Sequence, residues 1–274
     1  MTPGLPTQAI ILAAGEGRRL RPLTEHLPKP LVPFFGRPLL DWAVHRLFRA
    51  GVVRVAVHTA YLAEQVAARV AVLAERYPEI DFHVSREAVL SGTGGGVRLQ
   101  RDWLAPAPFL VVNADTIVAE DLAVLAGSAP ALLVTRTPSL ASERRIVAAA
   151  PVATAPALYW TGLIEGADPD AFAFTGVTLA DAELPARLPD GADGADGADG
   201  ADGADGADGA DGADGAGGVS CILRQGFLPS LATRPVRLVE THAFVADVGT
   251  PTALVDAHAR GLAWVAASRD HLPR

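Results

Sequence analysis

The chain has 274 residues, half of them apolar and 20% charged, which suits a large core and excludes a disordered tail or a small cross-linked scaffold. Its formal charge of −8 is local: residues 190–216 are nine successive Asp-Gly-Ala triplets, and outside them 22 acidic residues face 23 basic ones. That balance predicts no nucleic-acid or acidic-membrane partner. The single cysteine, Cys221, rules out an internal disulfide or a cysteine-based zinc site, and it reads as a packing residue. The apolar run at 9–14 is too short for a bilayer span and lacks a signal-like flank, so a soluble cytoplasmic protein is expected.

Residues 8–14 read as a buried strand, followed by the turn Gly15-Glu16-Gly17. Prolines at 22, 28, 30 and 33 then deny a regular helix. A helix is expected over 38–50, with Leu40, Val44, Leu47 and Phe48 on one face and Gly51 as its stop. A strand at 52–58, a helix at 63–76, a strand at 80–85, a helix at 95–104 and an apolar strand at 109–113 follow. Strand and helix alternate, as in a parallel α/β sheet. The second half predicts strands at 131–136, 157–163 and 171–179, a helix around 220–231 and short strands up to Asp247. A closing helix starts from Thr250 and Pro251 and carries the stripe Leu254, His258, Leu262 and Val265.

Of the 23 basic residues 22 are arginine, and the one lysine is Lys29, between Pro28 and Pro30 on what reads as a stiff, extended segment. Arg18, Arg19 and Arg21 follow the glycine turn, and such a cluster of cations beside backbone amides suits an arriving phosphate. The turn is neither a dinucleotide fingerprint, since Leu20 occupies the third glycine position, nor a Walker loop. Asp115, at the end of the 109–113 strand, is a candidate Mg²⁺ ligand, and Asp247 could be the second. The run Gly92-Thr93-Gly94-Gly95-Gly96 would let a backbone approach a flat ligand before a helix begins. The seven histidines show no metal-like or carboxylate cluster in sequence and read as surface or core-edge residues.

Leu12-Ala13-Ala14-Gly15-Glu16-Gly17-Arg18-Arg19-Leu20-Arg21-Pro22-Leu23-Thr24, with Pro28-Lys29-Pro30-Leu31, resembles the signature of nucleoside-diphosphate-sugar pyrophosphorylases, the sugar-1-phosphate nucleotidylyltransferases. The resemblance continues through Gly94-Gly95-Gly96, Asn113-Ala114-Asp115, Phe174-Thr175-Gly176-Val177 and Asp247-Val248-Gly249-Thr250, and within the family it leans toward the short bacterial uridylyl- and guanylyltransferases. It implies a single α/β domain with a Rossmann-like (GT-A-like), mixed but mainly parallel sheet flanked by helices. It implies that NTP and sugar 1-phosphate give nucleotide-sugar and pyrophosphate, with UTP favoured and GTP second, in a monomer or small homo-oligomer. Arg19 and Lys29 would be catalytic, Asp115 and Asp247 would hold Mg²⁺, Ala13, Ala14, Gly15, Gly17, Thr93, Gly94 and Gly95 would line the nucleotide, and Thr175 and Gly176 the sugar. Two rivals share the scaffold: a non-catalytic nucleotide-sugar-binding regulator, and a cytidylyltransferase for a non-sugar phosphate. The chain departs from the family at Ala114, where glycine is usual, and in the Asp-Gly-Ala repeat.

The repeat has no apolar side chain larger than alanine, so it is expected to be a solvated insertion. Loop closure costs rise slowly with length. Deleting 190–216, so that Pro189 joins Gly217, is therefore expected to leave turnover and Tm near the parent values, and a large loss of either would mean that the repeat packs or binds.

Overall fold

The computed structural model describes residues 4–136, 144–149, 157–165, 171–189 and 220–267; the repeat at 190–216 lies outside them. In chain order the strands and helices are β1 (Gln8–Leu12), β2 (Pro33–Phe34), β3 (Arg37–Pro38), α1 (Leu39–Arg49), β4 (Arg54–Thr59), α2 (Ala63–Arg76), β5 (Asp81–Arg86) and α3 (Gly92–Leu99). Then come β6 (Phe109–Asn113), β7 (Thr116–Val118), β8 (Ala131–Thr135), β9 (Arg144–Ala149), β10 (Leu158–Glu165), β11 (Phe172–Ala180) and α4 (Leu184–Arg187). The described chain ends with β12 (Arg237–Glu240), β13 (Val245–Asp247) and α5 (Pro251–Ala267).

Nine strands form one mixed sheet in the order β5-β4-β1-β6-β11-β8-β12-β10-β9. Of these, β10 and β11 run against the other seven. The chain moves outward from β1 through β4 to β5, then returns to place β6 on the other side of β1. That reversal creates the crevice beyond the strand ends where open α/β sheets take ligands. Because Leu12 pairs with Asn113, the turn after β1 and the chain after β6 leave the sheet side by side.

Both faces of the central strands are covered, which is why they read as unbroken apolar runs. Ala9 and Ile11 pack with Leu40, Val44 and Leu47 of α1 and with Val66, Val70 and Leu73 of α2. Ile10 faces the opposite layer, with Val97, Phe109, Val111, Ile222 and Phe227. Ala114 is 2% exposed within the first layer, so the methyl that departs from the family pattern is absorbed by packing.

A third cluster lies under the crevice and joins segments far apart in sequence. Leu20, Val32, Phe34, Ile117, Ala246, Val248 and Ala257 pack together. At about 1.5–3 kcal/mol for each large side chain buried, this platform sets the positions of the polar residues interleaved with it. Arg19 precedes Leu20, Asp115 lies two residues before Ile117, and Asp247 sits between Ala246 and Val248.

Several expectations need correction. The glycine run does not precede its helix: α3 begins at Gly92 and ends at Leu99, so the glycines fill its first two turns. Lys29 is not on an extended stretch but opens a 3-10 turn, Lys29–Leu31, in which the Val32 amide donates to the Lys29 carbonyl at 3.0 Å. The 220–231 helix is a π-type turn, Ile222–Phe227, followed by a 3-10 turn, Leu228–Ser230. Of the expected α5 stripe only Leu262 turns outward, at 62% exposed; Leu254 and Val265 pack partly buried against the third cluster beside the buried Ala257, and His258 lies against Phe34. The strand β9 was not anticipated. Thr250 caps α5 as expected, its Oγ1 accepting from the Ala253 amide at 3.1 Å.

Candidate active site

The site forms where β1, β6 and β11 reach the crevice and a small ribbon crosses it. β13 pairs antiparallel with β7, Asp247 opposite Thr116, and the Val248 amide donates to the Asp115 carbonyl at 3.1 Å. Two aspartates 132 positions apart are thereby held on adjacent backbones.

Lys29 enters from the other side. Its side chain is 3% exposed, and its Nζ lies 2.9 Å from Asp115 Oδ2, in a carboxylate that is 17% exposed. The wall behind it is Gly17, in the left-handed region at φ 65°, where an added Cβ would stand 3.1 Å from Lys29 Cβ and 3.1 Å from Thr24 Cγ2. Thr24 fixes that turn by donating its buried hydroxyl to the Gly17 carbonyl at 2.6 Å. Gly17→Ala is expected to cost about 1–2 kcal/mol in stability through its backbone conformation alone, read as a lower Tm. It should also displace Lys29, so the turnover loss should exceed what the Tm change explains; an Ala variant with parent-like turnover would contradict this.

The arginines divide. Arg18 Nε lies 2.8 Å and Arg21 Nη2 3.6 Å from Glu16 Oε2, so the loop supplies its own counter-charge to these two. Arg19 turns the other way: a Cβ at Gly249 would stand 3.2 Å from Arg19 Nη2 and 3.5 Å from Asp247 Oδ1. Arg19, Lys29, Asp115 and Asp247 are thus brought into one crevice, a cation beside each carboxylate.

The other anticipated residues sit around it. Ala13 is buried and its amide donates to the His58 carbonyl at 2.8 Å, while Ala14 and Gly15 are half-buried along the turn. Gly176, at φ 79°, forms a bulge in β11 against Asn113 and Thr116, with an added Cβ 3.0 Å from Asn113 Cβ. Thr175 is fully buried and donates its hydroxyl to the Leu133 carbonyl at 2.8 Å, so its side chain holds the bulge in place and is not presented to a ligand. Thr93 accepts at Oγ1 from the Ile222 amide at 3.0 Å. Gly94 and Gly95 have an internal reason to be glycine: an added Cβ would fall 2.2 Å from Ser220 Oγ or 1.7 Å from Ser91 Oγ.

A buried histidine–carboxylate pair also lies here, against the expectation that the histidines stay at the periphery. His58 Nε2 is 3.0 Å from Glu87 Oε2, with the two side chains 2% and 7% exposed. Burial alone would raise the Glu87 carboxyl, but hydrogen bonds from His58 and Ser91 outweigh it and hold the group below its usual range. The two residues are 29 positions apart, and only the pairing of β4 with β5 brings them together.

Residues 8–132 match the family model described as nucleotidyl transferase. The chain is 39% identical over 118 residues to the mannose-1-phosphate guanylyltransferase catalytic subunit beta of Drosophila pseudoobscura pseudoobscura, covering 42% of this chain and 32% of that protein. It is 36% identical over 110 residues to N-acetylmuramate alpha-1-phosphate uridylyltransferase of Neisseria meningitidis, covering 40% and 47%. A 2-aminoethylphosphonate cytidylyltransferase of Lancefieldella rimae matches at 33% over 115 residues, covering 42% and 45%. The matches therefore span a third to a half of these curated relatives. The fold extends further. The inositol-1-phosphate CTP transferase of T. maritima superposes with a TM-score of 0.69 at 14% identity, covering 95% of this chain and 97% of that one. A UDP-glucose pyrophosphorylase of Acinetobacter baumannii gives 0.65 at 16% identity, covering 95% and 93%. The chain thus carries the nucleotidyl transferase fold, and none of its described helices is long and apolar enough to cross a membrane.

Proposed function

We propose that the chain transfers a nucleotidyl group from an NTP to a sugar 1-phosphate, forming a nucleotide-sugar and releasing pyrophosphate. The observation that carries this reading is the Lys29–Asp115 contact at the switch point of the sheet, with Asp247 brought beside it by β13 and Arg19 reaching the Asp247 side from the turn after β1. A phosphate oxygen of the sugar phosphate attacks the α-phosphorus in line, the bond to the β-phosphate oxygen breaks, and pyrophosphate leaves with that electron pair. Such transfer depends on positioning and charge neutralisation, so no nucleophilic side chain is required.

Lys29 is the residue placed to draw the acceptor phosphate to the α-phosphate, exchanging part of its contact with Asp115 for a phosphate oxygen. Arg19, on the more exposed rim, faces the triphosphate. The turn 13–17 and the start of α3 flank the nucleotide, and the Gly176 bulge flanks the sugar. Asp115 and Asp247 are the residues that would hold Mg²⁺, which the family typically uses. The donor set fits: two hard carboxylates on adjacent backbones, with no third His, Cys, Asp or Glu gathering there among the described residues, leave the remaining positions to phosphate oxygens and water, as Mg²⁺ prefers. When bound, the ion supplies charge neutralisation at the phosphates.

We favour UTP as donor and GTP as second, in line with the uridylyl- and guanylyltransferase relatives. The cytidylyltransferase relative keeps a non-sugar phosphonate acceptor as the second reading. The test is pyrophosphate release with Mg²⁺ over a matrix of four NTPs and a panel of sugar 1-phosphates plus 2-aminoethylphosphonate. Release that requires both an NTP and a sugar 1-phosphate is expected. Turnover with the phosphonate only would select the second reading, and nucleotide-sugar binding without turnover would make the chain a regulator.

A further inference from the structure

We infer that the trio His58, Glu87 and Ser91, the first two of them buried, is a positioning device that fixes the first turns of α3 against the sheet, and that NTP affinity depends on it. This rests on the nucleotidyl-transfer reading above.

The trio connects three elements through one carboxylate. His58 lies near the carboxyl end of β4, 1% exposed, with Nε2 3.0 Å from Glu87 Oε2. Glu87 follows β5, and its amide is tied back to the Thr59 carbonyl at 2.9 Å. Its second oxygen, Oε1, accepts from the Ser91 amide at 3.1 Å and from the Ser91 hydroxyl. Ser91 is the residue that precedes the first turn of α3. An apolar trio could fill this space, whereas a fully engaged carboxylate also fixes direction. The arrangement carries a cost, because His58 Nδ1 is buried and finds no partner among the described residues.

The glycine run is shaped by this trio. A Cβ at Gly96 would stand 2.6 Å from His58 Cδ2 and 3.1 Å from Leu12 Cδ2, and one at Gly95 would collide with Ser91 Oγ at 1.7 Å. The second turn of α3 therefore lies flat on the imidazole. From the other side, the Gly94 amide donates to the Ser220 carbonyl at 2.7 Å and the Ser220 amide to the Ser91 carbonyl at 2.8 Å. Held from both sides, Gly92 and Thr93 stay half-exposed at the edge of the crevice. Loss of the His58–Glu87 bond frees one of the two anchors without touching Lys29, Arg19 or either aspartate.

The experiment compares the parent with His58→Leu, His58→Gln and Ser91→Ala. NTP binding is measured by calorimetry with each of the four NTPs and Mg²⁺, KM and kcat from pyrophosphate release, and Tm in parallel. His58→Leu should raise the NTP KM and Kd about tenfold or more, the scale expected when a hydrogen bond to a charged group is lost. Its kcat should stay within a few-fold and its acceptor KM near the parent value. His58→Gln, which keeps an N–H donor for Glu87, should recover most of the affinity. Ser91→Ala, a milder change that tests the trio even where His58→Leu fails to fold, should shift KM in the same direction by less. Lower Tm with unchanged NTP affinity in Ser91→Ala, and in His58→Leu where it folds, would make the trio packing only and overturn the inference, as would a fall in kcat without a change in KM. A parent that binds no NTP would remove the function reading and this inference together, whereas a parent that binds NTP as tightly as its His58→Leu variant would remove this inference alone.

Discussion

Lys29→Ala is expected to lose most of the turnover, about 10²–10³-fold, the usual cost of removing one transition-state charge contact. The more telling variant is Lys29→Arg, expected to recover little of that loss. The ammonium stands in a cradle that leaves the side chain 3% exposed, walled by Gly17 and Thr24 and aimed at Asp115 Oδ2. A guanidinium keeps the charge, but it is planar and wider and presents its donors as a fork. It would have to displace the Gly17 turn or withdraw from Asp115. Steady-state kinetics of the two variants beside the parent check this, and near-parent rates for Lys29→Arg would contradict it.

Asp115→Asn and Asp247→Asn are each expected to abolish Mg²⁺-dependent turnover while circular dichroism stays native. Each change keeps the shape and removes the charge that a hard cation requires. Restored activity at high Mg²⁺ in either variant would point to a weakened rather than abolished site. A fully active Asp247→Asn enzyme would leave Asp115 as the one proposed metal ligand.

Much of the crevice was legible because its residues sit in short segments whose local chemistry is unusual. The apolar runs at Gln8–Leu12 and Phe109–Asn113, each ending in small or polar residues, marked two strands and the edge where a ligand belongs. A single lysine among 22 arginines stood out by composition alone. What stayed hidden depends on contacts between distant segments. No local pattern announces that β13 will lie on β7 and set Asp247 opposite Thr116, although that aspartate was itself a candidate second ligand. His58 and Glu87 each look ordinary until β4 and β5 pair. The run 92–96 read as the approach to a helix expected from 95, because glycine is a poor helix former, yet all five residues lie inside α3, where tertiary crowding by Ser220, Ser91 and His58 overrides propensity. Thr175 was expected to face a sugar on motif grounds, but the bulge that places Gly176 turns its neighbour's hydroxyl into the sheet.

The most direct measurement of the central claim follows the α-phosphate. With an α-³²P-labelled NTP, Mg²⁺ and a sugar 1-phosphate, the labelled product separated by anion exchange should be the nucleotide-sugar, with unlabelled pyrophosphate formed in equal amount. No labelled product should appear when the acceptor is omitted, and Lys29→Ala should suppress its formation. Label recovered in free nucleoside mono- or diphosphate at the same rate with and without acceptor would show hydrolysis rather than transfer and would contradict the account.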